Sequence, residues 1–183
     1  MKKLLSLLLL TGTLFAQANN VFTLNPSVNS AGMGNVGIAN ADVKNVFHNP
    51  AFAGLRESHQ EVSYVDWLPN LTDDMGYQSI LYTSDLGWSS ELFYFNYGEQ
   101  TQADQGGIIL GDFESASFRL SGGYGFQIKD WMFGARLNLY NHSFIDDLDI
   151  DMNYGFDLGA YKEFGNTSLG IVLKDIGGET EFL

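Results

Sequence analysis

The chain has 183 residues with 9 basic against 22 acidic side chains, a net charge of −13. So acidic a chain repels nucleic-acid phosphates, which argues against DNA or RNA as a partner. It contains no cysteine, so disulfides and thiolate metal sites are excluded.

The first residues, MKKLLSLLLLTGTLFAQANN, have the layout of an export signal. Lys2 and Lys3 supply a positive start, residues 4–15 are apolar, and Ala16-Gln17-Ala18 fits a small-residue cleavage rule. The apolar stretch falls short of the ~20 residues that a helix needs to cross a bilayer. The expected boundaries are a signal at 1–18, an N-terminal segment at 19–58 and strands from 59 to 183. Loss of Lys2 and Lys3 leaves 7 basic against 22 acidic residues, a charge of −15. Residues 25–57 are rich in Gly, Asn and Ala, with a brief helix predicted over 42–47 and Asn49-Pro50 as the turn that stops it.

From Glu61 onward the hydrophobic period is two, which marks strands, because successive side chains of a strand point to opposite faces. Strands are predicted at 61–67, 76–84, 88–97, 118–128, 131–141, 152–162 and 167–174. The run WMFGARLNLYN is the clearest: Trp131, Phe133, Ala135, Leu137 and Leu139 share a face opposite Met132, Gly134, Arg136, Asn138 and Tyr140. FRLSGGYGFQI and MNYGFDLGAYK repeat the scheme. Asp85-Leu86-Gly87 and Lys129-Asp130 read as tight hairpin turns. The other connections read as longer and more acidic, such as 100–107, DFE at 112–114 and IDDLDIDM at 145–152.

Two architectures fit this pattern. In a soluble sandwich the apolar faces meet inside and the opposite faces carry Lys, Glu and Thr into water. Here the opposite faces carry Gly, Ser, Asn and Gln with scattered charge, as in the interior of a transmembrane barrel whose apolar face meets lipid. The better strands approach the ~9–11 residues that cross a bilayer at a tilt. Aromatic residues such as Phe118, Trp131, Tyr140 and Tyr154 sit near strand ends. The expected fold class is therefore all-β, an antiparallel transmembrane β-barrel, with seven strands read along this chain.

The stretch GMGNVGIANADVKNVFHNPA, followed by YVDW, NYGEQT, GDFESASFRLSGGYGF and GIVLKDIG, resembles the PorV/PorQ family, the PorQ branch more closely. These are outer-membrane proteins of the type IX secretion system, related in fold to the FadL channels. The resemblance implies localisation in the outer membrane, in contact with its lipid. It also implies a barrel of about fourteen strands with the N-terminal Gly-rich segment packed at or in the lumen, and partners among the proteins that attach secreted cargo to the cell surface. It makes Gly32, Gly34, Gly37, Asn49 and Pro50 a structural family motif. Relatives continue past the KDIG position with roughly as many strands again, so the expectation is about half a barrel, seven to eight strands of it present: a truncated gene, a fragment or a split protein. Seven is also an odd count where bacterial single-chain barrels are even, so either a strand is overlooked or the chain is incomplete.

Residues 32–37, GMGNVG, also fit G-x-G-x-x-G. A dinucleotide site needs a strand before the glycines and a helix after them, and NPSVNSA is no buried strand. The preferred reading is that Gly32, Gly34 and Gly37 let the chain turn or approach a barrel wall. The run Asp146, Asp147, Asp149, Asp151 lacks the Gly and Glu of a calcium loop, and His48, His59 and His142 lack metal-ligand spacing. No cofactor, metal or catalytic residue is expected. Arg119 and Arg136 fall mid-strand on the polar face, where lipid would cost ~2–4 kcal/mol each near the midplane, so they are expected to face the lumen. Asp157 or the N-terminal segment is the expected partner of both.

The leading functional expectation is a non-enzymatic outer-membrane component of type IX secretion. A FadL-like channel for hydrophobic small molecules is the second, disfavoured because the inward faces read as small and polar. A soluble secreted β-sandwich binding protein is the third.

Overall fold

A computed structural model describes residues 21–72, 74–104, 106–144 and 152–177. The expected export signal, the acidic run at 146–151 and residues 178–183 lie outside the described residues.

The fold is all-β. Seven strands, β1 (His59–Asp66), β2 (Gly76–Thr83), β3 (Trp88–Ala103), β4 (Ile109–Ile128), β5 (Trp131–Phe144), β6 (Met152–Phe164) and β7 (Thr167–Ile176), form one antiparallel sheet in sequence order. Every predicted strand is present. The sheet is open, with β1 and β7 as its edges.

Two connections differ from expectation. The hairpin β3–β4 takes in residues 100–103 and the DFE tripeptide, both read from sequence as loop. Residues 99–103 and 109–112 are exposed on both faces, so neither face selects apolar residues and the period-two signal vanishes although the backbone ladder continues. The β6–β7 connection is a two-residue turn, not a longer acidic one: Phe164 pairs with Thr167 around Gly165, whose φ is +61°. The two expected tight turns are present. Gly87 (φ +89°) closes β2–β3, and Lys129 (φ +54°) leads the two-residue link from Ile128 to Trp131.

One face of the sheet is covered and the other is bare. Leu137, Phe156 and Leu158 on the bare face are 40%, 46% and 48% exposed, whereas Arg119, Arg136 and Asp157 on the covered face are 1%, 4% and 1% exposed. Among the described residues no second sheet lies over the apolar side chains. This inverts the usual burial preference, in which apolar groups hide and charges stay wet.

Residues 21–55 form the cover. They hold only short helical pieces: a 3-10 turn at Val21–Thr23, helix α1 (Val28–Gly32), and 3-10 turns at Val43–Asn45 and Pro50–Leu55. Asp42 caps Val43–Asn45 by accepting the Lys44 N–H at 2.9 Å. Asn49-Pro50 does more than end that helical stretch; it begins the next one. Asn49 Oδ1 accepts the Ala51 N–H at 3.0 Å, and Pro50 occupies the first helical turn, where its missing N–H costs nothing.

The cover lies in a glycine trough. Gly125 pairs with Gly134, and Gly134 with Gly159, so three adjacent strands lack a side chain at one level of the covered face. A Cβ on Gly125 would collide with Ala53 and Gly54, one on Gly134 with Pro50 and Ala51, and one on Gly159 with Asn49. A Cβ on Gly170 would collide with Ile38. Backbone thus rests directly on backbone, with Phe52 fully buried and edge-on to Tyr161 at 5.2 Å.

Gly134→Val should therefore unseat residues 49–55 and cost about 1–3 kcal/mol or more, in the range of overpacked cores. Gly122→Val, on the bare face with nothing within 4 Å, should stay within about 0.5 kcal/mol of the parent. Denaturant midpoints, with hydrogen exchange at the Ala51 amide, check the pair.

Candidate functional site

The cover is irregular, so its peptide carbonyls have few ladder or helix partners, and buried carbonyls need donors. The sheet supplies them from side chains. Tyr77 Oη donates to Asn25 O at 3.2 Å, Ser79 Oγ to Pro26 O, and Ser168 Oγ to Ala39 O at 2.8 Å. Arg119 donates to Phe22 O, and Arg136 Nη2 to Phe47 O at 3.1 Å. Asn49 works in the other direction: its Nδ2 donates to Ile38 O at 2.9 Å within the cover and to Ala160 O at 3.3 Å on β6.

Behind these contacts lies a row of alternating charge, Glu91, Arg119, Arg136 and Asp157, one on each of the adjacent strands β3 to β6. Arg119 pairs with Glu91. Arg136 reaches past β4 to Glu91 at 3.7 Å and pairs with Asp157 at 2.6 Å. Gly123, directly opposite both Ser89 and Arg136, leaves room for that reach, since a Cβ there would stand 2.8 Å from Ser89 Oγ. The Asp157 carboxylate is saturated. Its Oδ2 accepts from Arg136 Nε and Nη2 and from Asn138 Nδ2 at 3.0 Å, and its Oδ1 accepts the Asp175 N–H at 2.9 Å. That last bond spans the register shift between β6 and β7.

The Phe47 ring is the apolar counterpart of the row. The Arg119 and Arg136 guanidinium carbons stand 4.7 Å and 5.2 Å from its centroid, and Lys174 Nζ stands 4.0 Å away. Three cations thus gather around one ring, each such contact contributing about 0.5–2 kcal/mol. A cavity of about 210 Å³ adjoins them, lined also by His48, Tyr140 and Asp175.

His48 is held neutral. Burial, then the Lys174 and Arg136 charges, lowers its pKa to about 4. Asn25 Nδ2 can only donate, so at 3.1 Å it makes His48 Nε2 the acceptor, and Ser30 Oγ lies 2.8 Å from the same nitrogen. A ligand role for that nitrogen would break both bonds, and among the described residues no three His, Asp or Glu side chains gather to hold a metal.

The sequence-derived glycines of the first motif divide. Gly34 needs its φ of +77°, and Gly37 needs its missing side chain, because a Cβ would strike the His48 ring. Gly32 ends α1 with nothing within 4 Å, so neither a turn nor wall contact explains it. Wall contact belongs instead to Gly125, Gly134, Gly159 and Gly170. Sequence reasoning also passed over Glu91, Phe47 and Lys174. Glu91 had a signal, a lone mid-strand charge between Ser89 and Phe93 of the kind that singled out the arginines. Phe47 and Lys174 had none. The inward face is not small and polar throughout, either: on β2 and β3 it carries Tyr77, Phe93 and Phe95, packed with Phe22.

No protein-family model matches the chain, and no curated protein matches it.

Asp157→Asn would leave Arg136 only the more distant Glu91 carboxylate, which Arg119 also occupies, and should cost about 3–5 kcal/mol in unfolding free energy. For His48, the folded pKa lies below the ordinary 6.5, so the unfolded chain binds the extra proton first. Its contribution is whole above pH 6.5 and is lost as pH falls toward 4. The expected result is a drop in unfolding midpoint over that window that is smaller in His48→Gln, with both proteins scanned in the same buffers.

Proposed function

We propose that the chain forms part of the wall of an outer-membrane β-barrel of the PorV/PorQ type, which holds partner proteins of type IX secretion at the membrane. The observation that carries this reading is the bare apolar face, with Val62, Ile80, Leu92, Leu120, Leu137, Phe156, Leu158 and Ile171 exposed across all seven strands. Water makes such a face costly, at roughly 25 cal/mol per Å²; hydrocarbon does not. The polarity of the two ends supports it as well. Three short turns (85–87, 129–130, 165–166) share one end, as the periplasmic turns of such barrels do, and the longer connections share the other.

The reading carries a requirement. Lipid offers no hydrogen bonds, so the edges of β1 and β7 have to be paired there. Because β1 and β7 run in the same direction, antiparallel closure takes an odd number of further strands.

The residues on the covered face have structural employment. Arg119, Arg136 and Asp157 bind one another or the cover, and Asn49 of the cover binds back to β6, which supports an anchoring and docking role over a catalytic one. A channel for hydrophobic solutes is the second reading. It is favoured by one observation, an apolar cavity of about 460 Å³ on the covered face lined by Leu24, Trp67, Met75 and Phe95.

The full chain, expressed with its signal, should stay with the membrane pellet through a carbonate wash and leave it only in detergent. Recovery in the soluble fraction would overturn the membrane reading. Deleting the gene should release type IX cargo into the medium, and cargo still anchored would overturn the secretion role. Solute uptake into liposomes separates the channel reading.

A further inference from the structure

The hairpin β3–β4 outgrows its sheet. The β1–β2 ladder ends at Asp66 and Gly76, β2 leaves β3 at Asn96, and the described part of β5 reaches Ser115 of β4. Among the described residues, Ile109 to Glu114 therefore pair only with the end of β3, and the hairpin stands roughly 20 Å proud of its described neighbours at 3.3 Å per residue. It is a built structure rather than a slack loop. Asp104 Oδ1 accepts the Gly106 and Ile108 N–H groups at 2.8 Å each, and Asp104 N–H bonds Ile108 O at 2.9 Å. Thr101 donates to Asp112 across the strands at 2.9 Å. At the root, the neighbouring connection braces it, with Asp74 Oδ2 accepting the Glu99 N–H at 2.8 Å.

Two features of this hairpin have no counterpart among the described residues. Its tip exposes three consecutive aliphatic residues, Ile108, Ile109 and Leu110, at 65%, 70% and 61%. Its shaft sets Glu99 directly opposite Glu114, both exposed, a like-charge cross-strand pair that weakens the hairpin. The surroundings add no relief, because residues 57–118 contain no Lys or Arg at all. An apolar knob on an acidic shaft is complementary to an apolar pocket rimmed by basic side chains. Such a pocket would cover the aliphatic tip and neutralise the Glu99–Glu114 repulsion together.

We propose that the β3–β4 hairpin is the docking element of this protein, inserting Ile108, Ile109 and Leu110 into an apolar pocket of a partner protein whose rim carries Lys and Arg. The proposal deepens the docking role proposed above and rests on it for the partner's location. Its chemistry depends only on the hairpin.

The test places a photo-crosslinking amino acid at Ile109 in the full-length chain in its native cells, with the same group at Leu137 on the bare face as control. The expected result is a discrete adduct with one protein from Ile109 and not from Leu137. Mass spectrometry of the adduct should map the link to a surface where apolar residues are bordered by Lys or Arg. The double variant Glu99→Lys, Glu114→Lys should reduce the adduct about tenfold or more, as should Ile108→Ser with Leu110→Ser. Both leave the folded core untouched and should keep the parent's unfolding midpoint. An adduct indifferent to charge reversal, one formed only with lipid or with a second copy of this chain, or no discrete adduct would each overturn the proposal. The carbonate wash is read separately. A soluble chain that still gives the charge-sensitive adduct sinks the membrane reading and keeps the docking element. A membrane-bound chain without that adduct does the reverse.

Discussion

A buried segment without regular structure brings its peptide carbonyls with it, and a surface that accepts such a segment has to offer donors where an apolar core would offer none. That constraint explains the inverted character of this sheet. Tyr77, Ser79, Ser168, Arg119 and Arg136 all point from the sheet to carbonyls of residues 22–47. The polar face and the irregular cover are therefore halves of one device. Each satisfies the other: the hydroxyl and guanidinium donors of the face meet carbonyls of the cover that would otherwise be unpaired.

The covered face is graded along the strands, and each zone solves a different packing problem. Near the short turns, glycines remove side chains so that backbone meets backbone around Pro50–Leu55. In the middle, the row from Glu91 to Asp157 balances charge across four strands, with the Phe47 ring as a polarisable lid over the cations. Toward the long connections, Phe22, Tyr77, Phe93 and Phe95 form a conventional apolar cluster. A buried ion row contributes little net stability, because desolvation offsets most of the attraction. What it provides is position: a cover displaced by one residue would take the Phe22 and Phe47 carbonyls away from the Arg119 and Arg136 guanidinium groups.

The bare face follows from the same inversion. Once the polar residues of each strand are committed to the cover, period two sends the apolar ones to the opposite side, where nothing in the described chain meets them. The lipid reading and the closure requirement on β1 and β7 both rest on that consequence. The protruding hairpin β3–β4 is the place where the rule lapses. Beyond its described neighbours it is exposed on both faces, and its sequence loses the alternation accordingly.

The sequence by itself determined the number and order of the strands, the two faces of each, and the mid-strand placement of Arg119, Arg136 and Asp157, because side-chain alternation is a local property of extended backbone. It also contained the Gly125–Gly134 level in principle, since the two-residue turn at Lys129-Asp130 sets that register. Tertiary structure alone decided the rest. That Gly159 and Gly170 continue the trough, that Phe47 sits among three cations, and that Asn49 joins the cover to β6 depend on how a segment of irregular backbone lies across strands more than 60 residues away. No local period encodes that path, which is set by where carbonyls find donors and where glycines leave space.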